Sequence, residues 1–127
     1  QRGDEFEKKV VNAFIQRGYW PVKQGVIYTD KFGNRSEIDV VAGRFFKTYV
    51  ECKNYHGHSV PLSDVAKFKE VLALNGIPLN RGLFITTSTC VPRAKTIGVK
   101  ILDGKQWKRF ERRSKVIGMA VFVLQMV

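Results

Sequence analysis

The sequence is short of the residues that staple small domains together. Two cysteines, Cys52 and Cys90, in 127 residues cannot build a disulfide scaffold. With no CxxC pattern and no His/Cys cluster around them, they do not make a zinc site either, so a reducing, intracellular compartment is expected. Four prolines and 11 glycines exclude collagen-like and low-complexity chains. No stretch reaches the ~20 apolar residues of a membrane-spanning helix; the final run, Val116 to Val127, has 12 residues. No signal-peptide pattern opens the chain, which starts at Gln1 rather than Met. Acid is scarce as well: 11 Asp plus Glu face 22 Lys plus Arg, for a formal net charge of +11.

What is present is enough apolar material, 44% with 12% aromatic, to fill one core and to exclude a disordered chain. Such a positive field attracts polyanions, with nucleic acid as the expected partner and an anionic membrane surface as the alternative.

The apolar spacing of Phe6, Val10, Ala13 and Phe14 predicts a helix that opens at Asp4, with Asp4 as N-cap and Glu7 as capping-box acid, and closes at Gly18. Tyr19 to Tyr28 reads as a strand, and Asp30 to Asn34 as a reversal. Glu37 to Ala42 and Lys47 to Lys53 form a hairpin around Gly43 and Arg44. Ser63 to Asn75 is an amphipathic helix, Gly82 to Thr86 a buried strand, Pro92 to Ile97 a short helix and Val99 to Leu102 a last strand. The fold class is α/β, a mixed central sheet flanked by helices. Residues 1–107 form the folded domain; 108–127 form a basic, then apolar, extension that could serve as a terminal strand, a dimer contact or a truncated anchor.

The chemistry lies in the hairpin. Alternation along a strand puts Glu51 and Lys53 on one face and Val50 and Cys52 on the other. Pairing Ala42 with Thr48 would bring Asp39 opposite Glu51, with Ile38 and Val40 buried beside it. Two carboxylates on one face repel unless a cation lies between them, and their oxygen donors suit Mg²⁺ or Mn²⁺. A lysine beside such an ion can stabilise developing charge or orient a water, which is the chemistry of phosphodiester hydrolysis.

Asp39 followed by Glu51-Cys52-Lys53 resembles the PD-(D/E)XK nuclease superfamily. Gly3-Asp4-Glu5-Phe6-Glu7, Gln16-Arg17-Gly18-Tyr19, Glu37-Ile38-Asp39-Val40-Val41, Glu51-Cys52-Lys53-Asn54-Tyr55 and Phe84-Ile85-Thr86-Thr87-Ser88, in that order, resemble Mrr-type restriction endonuclease domains. The resemblance spans roughly residues 3 to 107. It implies a restriction-endonuclease-like α-β-β-β-α-β core and a metal-dependent DNA endonuclease. Asp39 and Glu51 would bind the metal, Lys53 would assist the attacking water, and Glu7 would approach from the first helix. The chain departs from many members of this group in having Glu37 before Ile-Asp, and Glu51 where they have Gln.

Candidate phosphate contacts are Lys67, Lys69, Arg93, Lys95, Lys108, Arg109, Arg112 and Arg113. His56 and His58, spaced i, i+2 without a third ligand, read as loop residues or phosphate contacts. Thr86, Thr87 and Ser88 read first as caps of the helix that follows, with donation to a phosphate at its positive end as the alternative. The Trp and Phe residues read as core and interface, because no aromatic cluster is evident on one strand face. Competing functions are a catalytically idle DNA-binding module, a Holliday-junction-type nuclease whose symmetric substrate calls for a homodimer, and a membrane-proximal protein using the basic and apolar tail.

Overall fold

The computed structural model describes residues 2–127. Helix α1 (Arg2–Gln16) is followed by β1 (Val22–Thr29), β2 (Arg35–Ala42), β3 (Thr48–Lys53), α2 (Leu62–Leu74), β4 (Gly82–Thr86), β5 (Lys100–Leu102) and α3 (Gly104–Met126). The strands lie in chain order in one sheet. Tight turns make β1, β2 and β3 antiparallel, whereas crossovers through α2 and the 3₁₀ helix Pro92–Thr96 make β3, β4 and β5 parallel. The result is the mixed sheet with flanking helices that the sequence pattern predicts.

Two apolar layers sandwich the sheet. On one side Phe6, Val10, Ala13 and Phe14 of α1 meet Val40, Val50, Cys52, Ile85 and Trp107. On the other, Val65, Phe68 and Leu72 of α2 meet Ile38, Val41 and Phe84. Strand β4 is buried along its whole length, as a central strand covered on both faces must be.

Three expectations change. Helix α1 begins at Arg2, so Asp4 lies within its first turn and is not the N-cap. The hydroxyls of Thr86, Thr87 and Ser88 do not cap the 3₁₀ helix, whose N-cap is Val91. Thr86 instead accepts the Ser88 N–H at 3.0 Å, Thr87 donates to Asn54 at 2.8 Å and Ser88 donates to the His58 carbonyl at 2.7 Å, tying down the loop after β3. Finally, residues 116–127 are not a strand. They continue α3, which crosses the 107/108 division without a break. Asp103 starts α3 with a reciprocal capping box to Gln106. Trp107, Phe110 and Ser114 then pack on α1, with the Arg17 guanidinium 3.7 Å over the Phe110 ring and its Nε donating to Ser114 at 2.7 Å. Beyond Ser114 the helix is mostly exposed, including Val116, Phe122 and Leu124.

Gly104 brings α3 against the end of β4: its N–H donates to the Ser88 carbonyl at 2.8 Å, and a Cβ there would lie 2.6 Å from the Thr87 carbonyl oxygen. Gly104→Ala should therefore destabilise the fold by about 1–3 kcal/mol, seen as a melting temperature several degrees lower. An unchanged melting temperature would mean that this approach relaxes freely.

Candidate functional site

Strands β2 and β3 pair through Ala42↔Thr48, Val41↔Tyr49 and Val40↔Val50, and there the ladder ends. The Ala42↔Thr48 pairing that would bring Asp39 opposite Glu51 is the one observed, and it carries Asp39 towards Glu51. The backbone bond that would come next is replaced: Asp39 Oδ2 accepts the Cys52 N–H at 2.8 Å. A side chain spliced in where a carbonyl would sit holds the two strands apart, so a wedge opens between them.

Strand β1 takes part in the same distortion. Its ladder with β2 runs Gln24↔Val40 and resumes at Val26↔Ile38, passing over Gly25 opposite Asp39. Gly25 has φ +63°, and a Cβ there would come within 2.9 Å of Glu37 Oε2, so this position needs glycine. Around this point β2 turns about its axis. Ile38 and Val40 are both fully buried, as expected, but in opposite layers, Ile38 against α2 and Val40 against α1. Strict alternation therefore fails at the residue that bears the carboxylate.

Within the wedge Asp39 and Glu51 share a side-chain hydrogen bond, and Lys53 Nζ lies 3.8 Å from Glu51 Oε2. Burial and the neighbouring Asp39 charge push the Glu51 carboxyl up to about 8, against the pull of Lys53. Burial raises Asp39 too, opposed by the Cys52 N–H, the bond to Glu51 and the Lys53 charge. Glu7 enters from α1, its Oε1 accepting from Gln24 Nε2 at 3.2 Å rather than closing a capping box. Its carboxyl is raised by burial and by Asp39, Asp4 and Glu37, with Gln24 opposing.

A carboxyl raised by burial and by neighbouring carboxylates, as Glu51 is by Asp39 and Glu7, sits in a site in need of positive charge. The described residues contain no ready group of three His, Cys, Asp or Glu ligands. A paired Asp and Glu nevertheless fits Mg²⁺ or Mn²⁺, because such ions keep several waters and take one or two protein carboxylates together with substrate oxygens.

On the α2 side the wedge opens into a cavity of about 310 Å³ lined by Arg35, Glu37, Glu51, Lys53, Asp64 and Lys67, among others. The Tyr55 hydroxyl donates to Asp64, which pushes the Tyr55 phenol up to about 12. Of the basic residues selected from sequence, Lys67 lines this cavity. Lys69 donates to the Ile97 carbonyl at 3.1 Å and Lys95 pairs with Asp103 at 3.6 Å. Arg93 is exposed on the 3₁₀ helix. Lys108 lines a separate hollow with Thr87, Ser88 and Thr89, and Arg109, Arg112 and Arg113 are exposed along α3. His56 and His58 are exposed in the loop after β3. Sequence reasoning missed Arg35, Asp64 and Gln24, whose places near the site depend on which strands and helices become neighbours.

Residues 1–111 match the restriction endonuclease family Mrr_cat. No curated protein matches the chain significantly. A crystal structure described as a protein of unknown function, AF1548, is similar, with a TM-score of 0.65 at 21% identity. The likeness covers 77% of this chain and 57% of that one, so the chain spans a little over half of its length. At that identity the likeness concerns the fold alone. The family match runs from α1 into the first turns of α3 and takes in the whole carboxylate wedge, and on that extent the chain belongs to the Mrr_cat restriction endonuclease family.

Proposed function

We propose that this chain is a metal-dependent DNA endonuclease that hydrolyses phosphodiester bonds at the β2–β3 wedge. The observation that carries this reading is the meeting of Asp39 and Glu51 in a strand split with Lys53 alongside. Asp39 and Glu51 would hold Mg²⁺ or Mn²⁺. When bound, such an ion supplies Lewis acidity towards a phosphate oxygen and lowers the pKa of a coordinated water. Lys53 would orient that water or stabilise negative charge as it develops on the phosphoryl oxygens. The Cys52 N–H keeps one Asp39 oxygen in place and so orients the other. Glu7, steadied by Gln24, adds an oxygen acceptor on the α1 side. Lys67 and Arg35 in the cavity wall, with the net charge of +11, favour an approaching phosphate backbone.

The direct experiment incubates the protein with plasmid, linear duplex and four-way junction DNA in Mg²⁺, Mn²⁺ or EDTA. Cleavage of at least one substrate in metal and of none in EDTA is the expected result. If DNA is bound but nothing is cut with either metal, the reading fails and the chain is a DNA-binding module.

A further inference from the structure

Among the exposed aromatic side chains that the core does not use are Trp20 at 70%, Phe32 at 67%, Phe45 at 81% and Phe46 at 76%. Three of them gather at one end of the sheet. Phe45 and Phe46 form the tip of the β2–β3 hairpin. Trp20 is held beside that tip because the Pro21 carbonyl accepts the Gly43 N–H at 2.8 Å. The Arg44 guanidinium lies 5.8 Å from the Trp20 ring and 5.4 Å from the Phe45 ring, and Arg81 lies 5.2 Å from Phe46.

Behind Trp20 is a cavity of about 300 Å³, at the small end of ligand pockets. Trp20 and Tyr28 contribute rings to its wall, and Lys23, Arg44 and Lys47 contribute cations. No Asp or Glu lines it. Aromatic surface calls for a flat apolar group, and three unopposed cations call for an anion. A nucleotide carries both on one unit. A base inside a duplex has both faces covered by its neighbours, so a base that enters a cavity and stacks on a ring there must leave the helix.

This cavity and the carboxylate wedge open on the same side of the sheet. Val41 lines the first and packs in the α2 layer, while Glu37 lines the second together with Phe68 of α2. Along β2 those two residues are four positions apart, or about 13 Å. That is within reach of one short single strand.

We infer that the Trp20–Tyr28 cavity and the hairpin tip hold an unpaired nucleotide of the DNA strand that enters the wedge. The inference rests on the nuclease reading for its ligand, and it narrows the substrate to DNA with a single-stranded or unpaired segment. Arg44 then serves twice, bridging two aromatic faces and meeting a phosphate.

The test uses the whole chain in EDTA, so that nothing is cut, with an oligo-dT octamer and a blunt duplex of the same mass as probes. Trp20 is exposed and Trp107 is 4% exposed, so intrinsic fluorescence reports chiefly on the proposed cavity. The octamer should quench that signal. Trp20→Ala should weaken octamer binding about tenfold, since one stack is worth roughly 1–3 kcal/mol, while duplex affinity changes less than about threefold. Arg44→Gln should weaken the octamer in the same selective way, and an unchanged melting temperature verifies that both variants fold.

Absence of quenching, or equal losses for octamer and duplex, overturns the inference. So does a wild type that dimerises through this face, with Trp20→Ala monomeric and octamer binding intact. A protein that binds the octamer through Trp20 but cuts no DNA in metal defeats the nuclease reading alone. One that cuts duplex without quenching defeats this inference alone.

Discussion

Glu51→Gln, Lys53→Ala and Asp39→Asn should each lower DNA cleavage by about a hundredfold or more while leaving DNA affinity in EDTA within a few-fold of wild type. The expectation follows from what each group does. On the proposed reading Asp39 and Glu51 would supply the negative oxygens that a divalent ion needs, and Lys53 would meet charge that exists only as the phosphorus centre reacts. Ground-state affinity would come from a basic surface spread over the molecule, at net charge +11, and should barely notice these substitutions. Loss of one carboxylate in a crowded wedge also removes repulsion towards the phosphate, so Asp39→Asn should bind metal-free DNA at least as tightly as wild type. Gel assays of cleavage and anisotropy measurements of binding separate the two quantities. Wild-type cutting rates in all three variants would remove the wedge from the chemistry.

The second large effect concerns stability without metal. In the folded chain the Glu51 carboxyl titrates at about 8, whereas in an unfolded chain it titrates near the ordinary ~4.3. A group with a raised folded pKa contributes its full stability below the unfolded pKa and loses it as pH rises through the folded one. Metal-free wild type should therefore lose stability between about pH 4 and pH 9, beyond any loss shared with Glu51→Gln. Near pH 9 the Gln variant should melt several degrees higher, the separation of the two pKa values corresponding to at most about 5 kcal/mol. Added Mg²⁺ should reverse the order, because the carboxylate pair of wild type would hold a divalent ion more tightly than Asp39 with a neutral amide. Parallel pH profiles for the two proteins would show that Glu51 ionises freely in the fold.

These two experiments address one feature, an acid pair placed where a sheet comes apart, and its legibility in the sequence is uneven. The pair was visible as residue types at a spacing. The strand split that makes the pair a site was not, because it depends on Asp39 taking the Cys52 N–H in place of a backbone carbonyl, and on Gly25 bending the neighbouring strand. Rotation of β2 there sends Ile38 and Val40 to different layers, which no period of two can express. Glu7 shows the same limit. Its position suits a capping box, yet α1 starts earlier and Glu7 turns to Gln24, a partner on another element.

The apolar residues mark a second boundary. A run such as Val116 to Val127 reads equally as strand or helix when nothing polar sets a period, and α3 resolves it by propagating from the Asp103 capping box and the Trp107 and Phe110 contacts. Phe45 and Phe46 look like core by composition, but a hairpin tip lies beyond the reach of either helical layer, so they are exposed.

Local signals, then, were sufficient for what depends on local physics. The period of Val65, Phe68 and Leu72 and the breakers around Gly82 to Thr86 determine the order of elements and the extent of β4, while the Ala42↔Thr48 register is one that the sequence permits. Tertiary structure alone decided which carboxyls share a wedge, which cations line it and which rings remain outside the core. Those outcomes depend on side chains distant in sequence competing for the same backbone groups and the same buried volume, and that competition is settled only when the sheet and helices close on one another.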